Sequence, residues 1–270
     1  MNLAVGFFDG VHLGHQRILR HADAVLTFRN HPLSVLAPEK APKLLMSAGE
    51  RLARLAEGGR MVKALKFTPA LAAMAPEKFV ATLKRLFPDV DAVFCGPNWR
   101  FGKGGTGGPE TLRDFGYAVR VAKFAMRGGR PVSSTRIRQA LASGRIDDAA
   151  AMLGRQYSVS AVLSRGKGLG RRMGHPTLNF KVDMPLKPGV YAVDTPFGRG
   201  VANWGTAPTF GDKAWPEPVL EVNLLGEPPP RRVGKVEITF LRRIRSERRF
   251  PSLSALGAQI EKDRLAAKEC

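Results

Sequence analysis

The run Gly6-Phe-Phe-Asp-Gly-Val-His-Leu-Gly-His15 sets two imidazoles three residues apart, just after an Asp9-Gly10 turn signal. Apolar residues 3–5 lead into it, and His12, Gly14 and His15 fall where a helix would begin. A strand, a tight turn and a helix start aim unpaired backbone N–H groups and the helix dipole at one point. Gly6, Phe8 and Gly14 would join in binding the phosphates at such a turn, and His12 and His15 would donate hydrogen bonds to a polyphosphate. A second anion site is spelled by Ser133-Ser-Thr-Arg-Ile-Arg138, which puts Ser133, Ser134, Thr135 and Arg138 at another helix start. Read alone, Ser134 is an N-cap and the arginines a solvated face. Asn98, in Gly96-Pro-Asn-Trp-Arg-Phe-Gly102, offers an amide to a phosphate or an oxygen-rich ring, and Trp99 or Phe101 a flat surface.

The second half holds a different set. Arg165-Gly-Lys-Gly-Leu-Gly-Arg-Arg172 is a basic, glycine-rich loop in which Gly166, Lys167, Gly168 and Arg171 suit the wrapping of phosphates, although it is not a Walker sequence. In an extended segment Thr177 and Asn179 project to one side, and neutral oxygens so placed suit Mg²⁺ held mainly by nucleotide phosphates. In Val219-Leu-Glu-Val-Asn-Leu-Leu225, Leu220, Val222 and Leu224 take the core side and leave Glu221 facing out. A carboxylate facing a cleft can take a proton from a hydroxyl nucleophile; facing only water it is an ordinary strand residue.

These residues need two kinds of scaffold. Through residue 155 short apolar strands alternate with helices: strands at 24–28, 62–67, 90–95 and 117–124, helices at 16–22, 47–57, 76–87, 133–142 and a short one capped by Asp147. That alternation implies a parallel α/β sheet whose ligands bind beyond the carboxyl ends of the strands. From residue 156 the strands at 157–163, 189–193, 199–204, 219–225 and 233–241 are parted by Gly/Pro turns and imply an antiparallel barrel. A helix over 252–268, with Leu253, Leu256, Ile260 and Leu265 as its apolar stripe, closes the chain. The expected domains are 1–155 and 156–270.

Composition narrows the classes. With 44% hydrophobic residues the chain can build real cores and is no disordered tail. Its two cysteines, Cys95 and Cys270, have neither metal-site nor disulfide-framework spacing, so a cytoplasmic location is expected, with no membrane span. Forty-three basic against 23 acidic side chains give a net charge of +20, which favours acidic ligands. The excess runs through both halves and forms no basic tail. Nucleic acid is not an expected partner, and the oligomeric state is left open.

Taken in order, the motifs resemble prokaryotic bifunctional riboflavin kinase/FAD synthetases. The first half resembles the His-x-Gly-His nucleotidyltransferases. The second resembles a riboflavin kinase through Gly-His-Pro-Thr-Leu-Asn (174–179), Gly-Val-Tyr (189–191), Gly-Val-Ala-Asn-Trp-Gly (200–205), the Glu221 strand and Arg245-Ser-Glu-Arg-Arg-Phe250. The resemblance implies a Rossmann-like domain followed by a Greek-key barrel. Riboflavin would be phosphorylated to FMN with ATP and Mg²⁺, and FMN then adenylylated to FAD. It further implies that Glu221 is the kinase base, that Thr177 and Asn179 hold Mg²⁺–ATP, and that Arg245 and Phe250 bind flavin. His12 and His15 would stabilise adenylyl transfer, with Asn98 close by. The segment between His15 and Thr27 is shorter than in that family, which leaves part of one sheet face exposed unless another element covers it. The alternatives are a kinase with a degenerate first domain, and a non-catalytic regulator binding flavin or nucleic acid.

Overall fold

The computed structural model describes residues 1–164, 175–206, 218–227 and 234–270, which form two compact units, Met1–Ser134 and Thr135–Cys270. The first runs β1 (Asn2–Val5), α1 (Leu13–Leu19), β2 (Ala24–Phe28), α2 (Leu33–Leu36), α3 (Ala48–Ala56), β3 (Met61–Leu65), α4 (Pro69–Ala72), α5 (Pro76–Leu86), β4 (Ala92–Cys95), α6 (Pro109–Asp114) and β5 (Ala118–Val121). A small hairpin, β6 (Met126–Arg127) and β7 (Arg130–Pro131), follows.

The five main strands form a parallel sheet in the order β3-β2-β1-β4-β5. Strands β1 and β2 are apolar apart from Asn2 and Thr27 because both faces are covered. Leu3, Val5 and Leu26 pack with Phe79, Val80 and Leu83 of α5, while Ala4 and Val25 pack with Ile18 and Leu19 of α1 and Leu55 of α3. The order reverses between β1 and β4, so a crevice opens at their carboxyl ends. The loops after β1 and β4, which carry His12 and Asn98, both leave from that point.

In the second unit, α7 (Ser134–Ala142) leads into α8 (Ile146–Leu153), which ends on Gly154 in the left-handed region. The N-cap of α8 is Arg145, and Asp147 instead lies inside its first turn, where its negative charge favours the positive end of the helix dipole. Six antiparallel strands then close a barrel: β8 (Tyr157–Ser164), β9 (Thr177–Phe180), β10 (Gly189–Thr195), β11 (Gly198–Gly205), β12 (Val219–Leu224) and β13 (Lys235–Arg245). Their circular order, β10-β11-β12-β9-β8-β13, sets β9 beside β12. Inside, the Tyr191 ring meets Phe240 edge-on at 5.5 Å, and Trp204 donates through Nε1 to Leu186 O at 2.9 Å.

The last helix, α9 (Leu253–Lys268), starts at a Ser252 N-cap, but its apolar stripe differs from the one expected. Leu253 and Leu265 are 45% and 58% exposed; Leu256, Asp263 and Ala267 are the buried positions. Charge-assisted hydrogen bonds dock this helix. Asp263 takes Arg245 of β13 in a bidentate pair with contacts of 2.7–3.1 Å, while Arg264 donates to the Leu224 and Leu225 carbonyls at 3.0 and 3.3 Å and to Asn223 Oδ1. Removing one partner of a buried ion pair strands the other charge. Asp263→Ala is therefore expected to cost about 3 kcal/mol of stability, read from urea unfolding of the full chain.

Candidate active sites

The first site is a turn under strain. Phe8, Gly10 and Val11 have φ of +60°, +82° and +42°, a region that a β-branched residue such as Val11 enters only when its surroundings force it. The forcing contacts are visible. Leu45 N donates to the buried Asp9 carboxylate at 3.1 and 3.2 Å, Thr27 Oγ1 to Phe7 O at 3.2 Å, and Gln16 Nε2 to Val11 O at 2.9 Å. Ser134 Oγ donates to Asp9 O at 2.9 Å, which brings the Ser133-Ser134 pair to the turn. Phe8 is buried. Its ring sits where a Gly6 Cβ would stand and meets His15 edge-on at 5.2 Å, so Gly6 and Phe8 form a floor under the histidines.

His12 is the N-cap of α1; its Nδ1 accepts from Gly14 N at 3.2 Å, and its proton therefore sits on Nε2. The two imidazoles stack 3.6 Å apart at 18°. Burial, and then the neighbouring His12, hold the His15 pKa well below its ordinary 6.5, and His15 Nδ1 is buried without a hydrogen-bond partner. Asn98 is exposed on the loop after β4. Phe101 of the same loop is buried against Phe79, in space that Gly107, lacking a side chain, leaves open. Thr135 is exposed and Arg138 half-buried on α7.

Arg51 is a buried support of this turn that the sequence hides. It is 0% exposed, donates to Phe28 O and Arg29 O at 2.6 and 3.1 Å, and lies 3.8 Å over the Phe7 ring. Burial lowers its pKa to about 10 against the raising influence of Asp9. An arginine on a short helix reads as solvated; the signal that points inward is its place one turn before buried Leu55.

The second site is made by register. Across β9 and β12, Asn179 is opposite Glu221 and Thr177 opposite Asn223; across β11 and β12, Asn203 is opposite Glu221. Residues paired in this way share a face. Thr177, Asn179, Asn203 and Glu221 therefore meet outside the barrel core, while Leu220 and Val222 fill it. The Asn179 Oδ1 is buried and has no hydrogen-bond partner. Asn223 is committed elsewhere: it donates to Pro176 O at 2.9 Å and accepts from Arg264.

Two further residues join this face. Glu247 packs on the bare backbone of Gly205, and its carboxylate fills the space that an added Cβ would need. Burial raises its pKa; a hydrogen bond from Asn203 and the charge of Arg245 oppose the rise, and Glu221 adds to it. Glu221, Asn203 and Glu247 thus form one electrostatic group. A lone amide amid the apolar residues of 200–205 was the available sign for Asn203. Arg245 is held edge-on by Asp263, and the Phe250 ring lies 5.7 Å from its guanidinium and 4.7 Å from that of Arg248. Gly166, Lys167, Gly168 and Arg171 lie outside the described residues. Among the described residues, no three His, Cys, Asp or Glu side chains gather as a metal cluster, and no helix is long and apolar enough to cross a membrane.

A strained histidine turn on a parallel sheet, joined to a barrel that presents a carboxylate beside neutral oxygens, defines a nucleotide-using transferase with two sites. Comparison with known proteins makes this specific. The FAD synthetase family model matches residues 1–136 and the riboflavin kinase model residues 153–270. The bifunctional riboflavin kinase/FMN adenylyltransferase of Escherichia coli K12 is 34% identical over 99% of this chain and 91% of its own length. That of Bacillus subtilis 168 is 33% identical over 98% and 90%. A crystal structure titled macrolide-efflux protein from Streptococcus pneumoniae superposes with a TM-score of 0.85 at 27% identity, over 100% of this chain and 94% of that one. The chain belongs to the bifunctional riboflavin kinase/FMN adenylyltransferase family.

The depressed His15 pKa has a consequence for stability. The unfolded chain takes up this proton near pH 6.5, whereas the folded chain keeps His15 neutral to lower pH. Stability of the first unit is therefore complete above 6.5 and falls as the pH drops below it. His15→Asn is expected to flatten that decline, read as melting temperature between about pH 7.5 and pH 5 by Trp99 fluorescence.

Proposed function

We propose that residues 156–270 phosphorylate riboflavin and residues 1–155 adenylylate the resulting FMN, each half using its own ATP. The observation that carries this reading is the pairing of Asn179 with Glu221, which puts a carboxylate and a buried, unpartnered amide oxygen on one face. In the first reaction Glu221 takes the proton of the riboflavin 5′-hydroxyl as that oxygen attacks the γ-phosphate. Glu247, which takes a hydrogen bond from Asn203, adds its negative charge to the surroundings of Glu221. Thr177 Oγ1 and Asn179 Oδ1, neutral oxygens two residues apart, would hold Mg²⁺ once the Asn179 amide turns over, since its Nδ2 donates to Thr177 O and Oγ1 at 3.4 and 3.5 Å and leaves Oδ1 an orphaned acceptor. Bound there, the ion would neutralise charge on the ATP phosphates. Gly166, Lys167, Gly168 and Arg171 supply further phosphate contacts, and the Phe250 ring, with Arg245 held by Asp263, flanks the flavin.

In the second reaction an FMN phosphate oxygen attacks the α-phosphate of ATP and pyrophosphate leaves. The nucleophile is already anionic, so no base is required. The N–H donors of His12 and His15, with Gly14, Asn98, Ser133, Ser134, Thr135 and Arg138, grip the phosphates. A neutral His15 gains proton affinity as negative charge develops, and its hydrogen bond then strengthens in the transition state. The shortened α1 still begins with both histidines stacked, which supports retention of this reaction. A cytoplasmic location fits ATP as substrate and two free cysteines.

Protein incubated with riboflavin, ATP and Mg²⁺ is expected to yield FMN and then FAD on chromatography; folded protein yielding neither overturns the reading. Glu221→Gln is expected to lower FMN formation by about 100-fold or more while FMN-to-FAD conversion persists. Loss of both activities in a folded variant contradicts two separate sites. Gly205→Ala, whose methyl must displace the Glu247 carboxylate, is expected to slow FMN formation selectively in the same assay.

A further inference from the structure

The charge that the sequence spreads along the chain is gathered by the fold into a groove. Two cavities of about 320 and 440 Å³ lie along the outer face of α1. Arg17 and Arg20 line both, so the two share a wall. The opposite side comes from the segment that leaves β5: Arg120 and Lys123 at the smaller cavity, Arg127 at the larger. No carboxylate lines either cavity, and neither do His12 or His15. Among the described residues, Arg17, Arg20, Arg120 and Lys123 form no ion pair with a carboxylate. Unpaired cations set together repel one another, and a polyanion lying between them relieves that cost.

The same segment also presents apolar faces between its charges. Phe124 is 43% and Met126 51% exposed, each next to a basic residue, and both precede the exposed Gly128-Gly129 turn of the β6–β7 hairpin. Arg17 Nη1 donates to Phe124 O at 2.8 Å and fixes this segment beside α1. On the floor, His21 stacks on Phe94 at 5.6 Å and 20° and is itself exposed. The groove exists because α1 has only seven residues and β5 is an edge strand; no further helix covers their junction in this unit's described residues.

The geometry points to a binding site for single-stranded nucleic acid along this groove, separate from both reaction sites. Cations repeated along a track read successive phosphates, and exposed flat side chains between them take unstacked bases. A duplex keeps its base faces inside and has no use for Phe124 or His21. A free mononucleotide has too few phosphates to engage four cations on two walls.

The test uses the full-length protein and fluorescein-labelled oligo(dT) and oligo(U) of about 20 nucleotides, followed by anisotropy at about 50 and 200 mM salt. Replacing Arg17, Arg20, Arg120 and Lys123 by Ser is expected to weaken binding at least about tenfold and to reduce the salt slope by about 3. Replacing four exposed cations elsewhere in the unit (Lys40, Lys78, Lys84 and Arg85) is expected to change it less than about threefold. The double variant Arg120→Ser/Lys123→Ser leaves α1 intact and is expected to show part of the loss if the fourfold variant fails to fold. Phe124→Ala is expected to weaken binding without altering the salt slope. FMN-to-FAD conversion is expected to survive all of these changes. Equal loss in the charge-matched control, no binding by the unaltered protein at 50 mM salt, or a raised KM for ATP in the groove variants would overturn the proposal. So would groove-dependent binding to anionic vesicles in place of oligonucleotides.

Discussion

Opposing Asn179 to Glu221 across β9 and β12 is the constraint on which the kinase half depends. Side chains alternate along a strand, so a one-residue slip would turn Glu221 into the barrel and expose Leu220 or Val222, both fully buried. The core therefore polices the site: burying an apolar residue at every second position is what holds the carboxylate beside the amide. The barrel's order adds to this, since β12 takes β9 on one edge and β11 on the other and so sets Glu221 between Asn179 and Asn203. Helix α9 then ties itself to β12 and β13 through Arg264 and Asp263, fastening the strand ends that flank Glu221 and Glu247.

The nucleotidyltransferase half reaches the same result by strain. Three of the four residues 8–11 occupy the left-handed region, and the turn is held along its length: Leu45 N bonds Asp9, Thr27 bonds Phe7 O and Gln16 bonds Val11 O. Beneath them a buried guanidinium, Arg51, bonds two carbonyls and faces Phe7. These contacts fix the backbone before any ligand arrives, so the two imidazoles stand together although one lowers the basicity of the other. Preorganised donors of this kind act on developing charge without first having to move.

The motif residues were legible because their chemistry is local. A His-x-Gly-His run, a Ser-Ser-Thr start and a strand alternating about Glu221 can each be read within ten residues, as can the change from helix-strand alternation to strands alone. Asn203, Glu247 and Arg51 were not legible in this way. Each acts through a neighbour far along the chain, and in sequence an amide, a glutamate and an arginine look like solvated side chains. The stripe expected on α9 misled for a related reason: spacing identifies a helix face, but here ion pairs and not leucines decide which face docks.

Charge marks the division most clearly. The sequence by itself determined the net charge of +20, the two-part organisation, the fold classes and the residue types able to bind phosphate and move a proton, because these follow from composition, periodicity and short motifs. Only the tertiary structure decided which distant residues share a face, which turn is strained and where basic side chains gather along α1, because register, burial and the order of strands arise from contacts between segments far apart in the chain.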